Sequence, residues 1–221
     1  MKKLCIAMSM ILVSTFANAQ LKGSGKTISK TYDYTNFDKV YFEDIDGKIE
    51  VEIGKTWSIS VVIDDNLEEF LEVIKNATEN ELKIIFKNNE NNRKYVENTN
   101  VKIKITMPEA SVIKNSGNSN IKVSGVVGRY FRIEIAGNGD AICSGTVDQL
   151  DIEKTGNGDV IAKGIEAKNA KIKSSGNGDV VVNVAENLTA KNNGNGDVKN
   201  FGKAAFDSSS KSVGNGELLR L

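Results

Sequence analysis

The residues with the clearest chemical potential are four aspartates, Asp140, Asp159, Asp179 and Asp197, each closing a Gly-Asn-Gly-Asp tetrapeptide. Asn120 and Glu217 hold the same place in two degenerate copies. Stacked carboxylates repel one another, and a divalent cation between them would relieve that, which is the chemistry of calcium-binding β-rolls. Paired carboxylates can also flank a glycosidic bond and share its cleavage. Two features weigh against these uses. The short G-G-x-G-x-D-x-U-x period of the β-rolls is absent, and a glycosidase needs two carboxyls in different environments, whereas these recur identically. The reading adopted is structural: each Asp accepts hydrogen bonds from N–H groups of its turn, and neither a metal nor another cofactor is expected.

The remaining catalytic inventory is thin. The chain has no histidine and only two cysteines. Cys143 shares a repeat column with Val123, Ala162 and Val182, which marks it as a small core side chain and not a reactive thiol. These features together predict a protein that is not an enzyme.

What positions the aspartates is a repeat. The turn glycines Gly117, Gly137, Gly156, Gly176, Gly194 and Gly214 are separated by 20, 19, 20, 18 and 20 residues. Six copies at one period predict stacked units. Four residues before each glycine stand Ile113, Ile133, Ile152, Ile172, Ala190 and Ser210; four after it stand Ile121, Ala141, Val160, Val180, Val198 and Leu218. Three before it, every residue is charged: Lys114, Glu134, Glu153, Lys173, Lys191 and Lys211. Alternation of this kind is the period of a strand. A meander gives no reason for whole columns to keep one character, whereas a parallel β-solenoid stacks equivalent residues about 4.8 Å apart. The repeated turn is then the repeated corner, with glycine permitting tight backbone and asparagines at 118, 138, 157, 177, 195 and 215 stacked to bond rung to rung.

One column breaks the pattern. Five residues after the glycine come Lys122, Ile142, Ile161, Val181, Lys199 and Leu219. Its neighbours on either side point inward, so this column points outward. Ile142, Ile161 and Val181 would then form an exposed apolar strip between Lys122 and Lys199, and such a strip marks a contact surface. It is the candidate partner face.

Sixteen of the 20 glycines follow residue 111, while ten of the 14 aromatic residues precede it, so the mature chain divides into regions 20–111 and 112–221. In the first, 48–53, 58–63, 81–86 and 101–106 read as strands, with Asp46-Gly47 as a hairpin-type turn. Leu67, Phe70, Leu71 and Ile74 fit either a short helix or a helical turn followed by a strand, and 88–98 reads as a polar loop. Ahead of both regions, Met1-Lys2-Lys3, an apolar run at 4–16 and Ala17-Asn18-Ala19 have the order of a cleavable secretory signal over 1–19. No later stretch approaches the roughly 20 apolar residues of a membrane span. Without Lys2 and Lys3, 27 basic residues stand against 29 acidic ones, which points away from nucleic acid.

Taken in order, Phe37-Asp38-Lys39-Val40, Ile49-Glu50-Val51-Glu52-Ile53, Glu81-Leu82-Lys83-Ile84, the 101–108 stretch and the serial GNGD turns resemble the putative auto-transporter adhesin, head GIN domain family. The resemblance covers residues 37–220. The usual turn of that family is S-G-S-G-D, and asparagine here fills its second small polar position. The resemblance implies a β-helix-like, all-β exported protein of Bacteroidetes-type bacteria with an adhesin-like role, and it brings no catalytic or ligand residues.

The combined expectation is an all-β chain with a parallel β-solenoid of about 20-residue rungs in its C-terminal half and a strand-rich N-terminal region packed on or continuing it. Its function would be that of a non-enzymatic binding or structural module of the cell envelope, in the periplasm, at the cell surface or secreted. Its partner would be a protein or an envelope or host glycan. The alternative is a carbohydrate-active enzyme or calcium-dependent glycan binder using the Asp column. Unpaired end rungs admit a homo-oligomer, although Asn200 and Arg220 replace apolar residues in the last rungs as a polar cap would.

Overall fold

A computed structural model describes residues 21–87, 96–97 and 99–221. The expected signal at 1–19 and nearly all of the 88–98 run lie outside the described residues. The strands are β1 (Leu21–Lys22), β2 (Thr27–Tyr32), β3 (Lys39–Glu43), β4 (Lys48–Ile53), β5 (Ser58–Asp64), β6 (Leu71–Asn76), β7 (Glu81–Phe86), β8 (Val96–Glu97) and β9 (Lys102–Met107). They continue with β10 (Val112–Gly117), β11 (Asn120–Gly137), β12 (Ala141–Gly156), β13 (Val160–Gly176), β14 (Val180–Gly194), β15 (Val198–Asn200), β16 (Lys211–Val213) and β17 (Leu218–Arg220).

Apart from β1 and β8, which pair with each other in a separate two-stranded sheet, these strands build one sheet that winds into a parallel β-solenoid of about five turns. Its register follows the sequence columns: Ile113 lies beside Ile133, Ile133 beside Ile152, and Ile152 beside Ile172. All four isoleucines are buried. Burying one such side chain contributes roughly 1.5–3 kcal/mol, so an unbroken column both fixes the register and supplies much of the stability. A one-residue slip would turn the whole column outward.

The N-terminal strands join the same stack out of chain order. β3 lies between β7 and β10, parallel to both, and β4 lies between β9 and β11, again parallel to both. The rung at 39–53 therefore sits between the rungs at 81–107 and 112–124. Beyond it, β5 pairs antiparallel with β9, β2 with β5, and β6 with β7, which closes that end of the solenoid with strands of opposite direction.

Asp46-Gly47 is not a hairpin turn. β3 and β4 never pair; the segment between them is a corner that carries the chain from one face of the solenoid to the next. Alternating hydrophobicity looks the same in a hairpin and in a coil, and only the lateral partners distinguish them. A Cβ at Gly47 would lie 2.4 Å from the Val101 carbonyl oxygen of the adjacent rung, so that corner needs glycine for close approach. At 65–76 the chain forms a 3-10 turn, Asp65–Phe70, followed by β6, the second of the two readings its spacing allows.

Candidate functional site

The GNGD corner is a lattice of hydrogen bonds between rungs. Each asparagine donates Nδ2 to Oδ1 of the asparagine before it, from Asn138 to Asn118 (2.9 Å) through Asn157, Asn177 and Asn195 to Asn215. The third corner residue is buried, and a Cβ at Gly158 would lie 2.1 Å from the Gly139 carbonyl oxygen. Glycine recurs there because the previous rung already fills the space.

The aspartates serve the same lattice. Oδ1 of Asp140 accepts the amide of Asp159 at 2.9 Å, Asp159 accepts Asp179 at 2.8 Å, Asp179 accepts Asp197 at 2.8 Å, and Asp197 accepts Glu217 at 2.9 Å. The donor is the next rung's amide and not an N–H of the same turn. Lys199 Nζ adds positive charge, 2.6 Å from Asp179 Oδ2 and 3.2 Å from Asp197 Oδ2. Burial works to raise the Asp179 carboxyl, but the Lys199 ammonium and the Asp197 amide outweigh it and hold it below the ordinary value of 3.8. Among the described residues no group of three or more acidic, cysteine or histidine side chains is placed to hold a metal ion.

Cys143 is buried, and loss of water pushes its thiol up to about 12. A thiol that stays protonated is a poor nucleophile.

The outward column lies in one continuous register, Lys122 beside Ile142, Ile161, Val181, Lys199 and Leu219 in turn. Ile142 is 49% exposed, Ile161 and Val181 are half-buried by their neighbours in the stack, and Lys122 is exposed. The two lysines differ in environment. Lys199 is drawn to the corner carboxylates, while Lys122 has no ion pair among the described residues.

Two features escape the sequence columns singled out above. Lys154 points into the core, 1% exposed, with Nζ donating to the Gly156 carbonyl at 3.0 Å. Its column also holds Asn115 and Asn192, whose amides donate to the carbonyls of Ser119 (3.0 Å) and Gly196 (2.7 Å), so polar side chains here bind the inner face of the corner. Burial pulls the Lys154 amine below its ordinary 10.5, against the opposing pull of Asp159 and Asp179. The second feature is a recess of about 650 Å³ on the third face of the solenoid, lined in part by Phe201. The one signal for it in the sequence is the 18-residue spacing between Gly176 and Gly194.

A family model described as "Putative auto-transporter adhesin, head GIN domain" matches residues 36–204. No curated protein matches the sequence. Among solved structures, a putative adhesin from Bacteroides fragilis NCTC 9343 aligns with a TM-score of 0.69 at 21% identity, covering 91% of this chain and 100% of that one. A putative lipid binding protein from Parabacteroides distasonis ATCC 8503 aligns with a TM-score of 0.56 at 20% identity, covering 91% of this chain and 99% of that one. A putative adhesin from Parabacteroides merdae ATCC 43184 aligns with a TM-score of 0.53, also at 20% identity and over the same shares of the two chains. At these identities the shared property is the fold.

Proposed function

Because this chain belongs to the putative auto-transporter adhesin, head GIN domain family, we propose that it is an exported, non-enzymatic adhesin-like module whose rigid solenoid holds a partner face toward a protein or an envelope or host glycan. The face is the strip Ile142, Ile161 and Val181, with Lys122 and Lys199 at its margins. The observation that carries this reading is Ile142, a large apolar side chain 49% exposed on a flat sheet whose inward neighbours Ala141 and Cys143 are buried. Core packing gives no reason for isoleucine at that outward position, and exposed apolar surface of this kind marks contact sites. The family match and the adhesin neighbours support the binding role. The leader-like order of residues 1–19 supports export to the periplasm or cell surface.

The Asp column has less support as a calcium or glycosidase site. Its Oδ1 atoms already accept amides of the next rung, and the Lys199 ammonium bridges its two most C-terminal aspartates.

The test compares the parent chain with an Ile142→Asp, Val181→Asp double variant, measuring retention on envelope fractions of cells that produce it and on immobilised host matrix proteins and glycans. The expected result is a loss of binding of roughly tenfold or more with the unfolding midpoint unchanged. Unchanged retention on every surface would remove the strip from the proposal. N-terminal sequencing of the protein recovered from cells should begin at Gln20; an uncleaved Met1 would refute export by this signal.

A further inference from the structure

The third face of the solenoid carries a recess with a definite cause. Between β13 and β14 the register passes from Ile161 beside Val181 to Glu166 beside Asn183, so four residues on β13 are matched by only one, Val182, on β14. That rung takes a short cut where the preceding rung swings wider, the following rung keeps the short path from Asn200 to Phe206, and a hollow of about 650 Å³ opens there. Asn183 and Ala185 of the short rung line it, with Glu166 and the Asp148–Lys168 pair (2.6 Å) contributed by earlier rungs and Phe201 and Lys203 by the following one. The volume lies within the range of small-molecule sites, about 300–1,000 Å³.

Its lining is chemically mixed in a specific way. Phe201 is 51% exposed, and Lys163 Nζ lies 5.6 Å from its ring centroid, a cation–π contact that holds the ring in place. Glu166, Asn183 and Lys203 make no side-chain hydrogen bond or ion pair among the described residues, so the hollow offers a free acceptor, a free amide and a free ammonium beside an aromatic ring. Charges of both signs line it, which fits an uncharged ligand.

We propose that this recess binds a neutral hexopyranose unit of a glycan, at a site separate from the Ile142 strip and independent of it. A pyranose has a C–H face that packs on an aromatic ring and an edge of hydroxyls, each able both to donate and to accept. Phe201 takes the face; Glu166, Asn183 and Lys203 take the hydroxyls. An acyl chain would instead bury the Asn183 amide without a partner, which is costly. An extended peptide finds little strand edge to join, because Glu166 and Ala167 already pair with Asn183 and Val184, and on the other side the Val184 amide donates to Asn200 Oδ1 while its carbonyl accepts the Ala204 amide.

The experiment is calorimetric titration of the leader-free chain with cellobiose, lactose and maltose at millimolar concentration, repeated with phosphatidylglycerol vesicles and with Phe201→Ala, Phe201→Tyr and Asn183→Ala variants. At least one disaccharide should bind the parent. Affinity should fall roughly tenfold or more in Phe201→Ala, fall severalfold in Asn183→Ala, and persist in Phe201→Tyr. If Phe201→Ala fails to fold, the contrast between Phe201→Tyr and Asn183→Ala carries the same decision. The proposal is overturned if none of the three sugars binds, if both Phe201→Ala and Asn183→Ala bind as tightly as the parent, or if vesicles bind through Phe201 and sugars do not.

Discussion

Asn157 donates Nδ2 to Asn138 Oδ1 at 2.8 Å, across 19 residues of chain and one rung of the solenoid, and its own Oδ1 accepts Nδ2 of Asn177 at 2.6 Å. The ladder therefore has a direction, with every donor pointing back toward the N-terminal end. Asn157→Ala removes two exposed bonds and should lower stability by about 1–2 kcal/mol. Asn157→Asp should be worse, because it sets an acceptor against the Asn138 acceptor. Denaturant midpoints should rank parent, Ala, Asp; equal midpoints for the two variants would refute a directional ladder.

Close approach at the corner predicts a larger effect. In Gly158→Ala the new methyl would lie 2.1 Å from the Gly139 carbonyl oxygen, and backbone on both rungs would have to part. A loss of roughly 3 kcal/mol or more is expected in chemical unfolding. Alanine at Gly25, where nothing lies within 4 Å but φ is +81°, should cost only about 1 kcal/mol for its backbone conformation. Similar losses at the two sites would contradict the stacking geometry.

Lys154 is a buried amine in a column where Ile135 also fits. Lys154→Met should be neutral or raise stability by about 1–3 kcal/mol near neutral pH, because it removes an ion that must be desolvated on folding. The parent should also gain stability as pH rises from the lowered folded value toward 10.5, since across that window the unfolded chain holds the proton and the folded one does not. The variant should lack that gain. An unfolding series from neutral to alkaline pH measures both effects, and a destabilised Met variant would show that the ammonium is needed for its bond to Gly156.

Asp64 joins three segments: its carboxylate accepts the Gly25 amide (2.9 Å), the Asn100 amide (2.7 Å) and Asn100 Nδ2 (3.1 Å). Burial works to raise its pKa, but the hydrogen bonds from Asn100 and Gly25 prevail and hold it below 3.8. Its stabilisation is therefore complete above that value and is lost as pH falls through the folded pKa. Asp64→Asn should cost about 1–3 kcal/mol near neutrality and should flatten the decline below about pH 4. A parallel acid profile in parent and variant would refute this assignment.

The sequence makes the corner legible because the corner repeats. Six turn glycines align columns, and a column that stays isoleucine or stays charged reports its orientation without any knowledge of distance. The expected pairing of asparagines and the burial of Cys143 follow from the same alignment. What stays hidden is whatever occurs once. The interleaving of 39–53 between later rungs leaves no periodic mark, since strands from any part of the chain can add to a parallel stack. Lys154 stands out only after its neighbours in the column are seen to face inward. The recess at Asn183 registers as two missing residues, a difference too small to interpret before the register shows where they were lost.

The interleaved rung also sets an order of events in folding. Residues 39–53 are synthesised before either of their lateral partners, 81–107 on one side and 112–124 on the other. As it emerges, this segment finds no edge to join, and the long loops that must close around it slow its docking. The chain cannot wind up coil by coil from its beginning. Its 39–53 rung gains its first lateral partner only when 81–107 has appeared and its second only after residue 112, and it then joins the two near the N-terminal end of the stack.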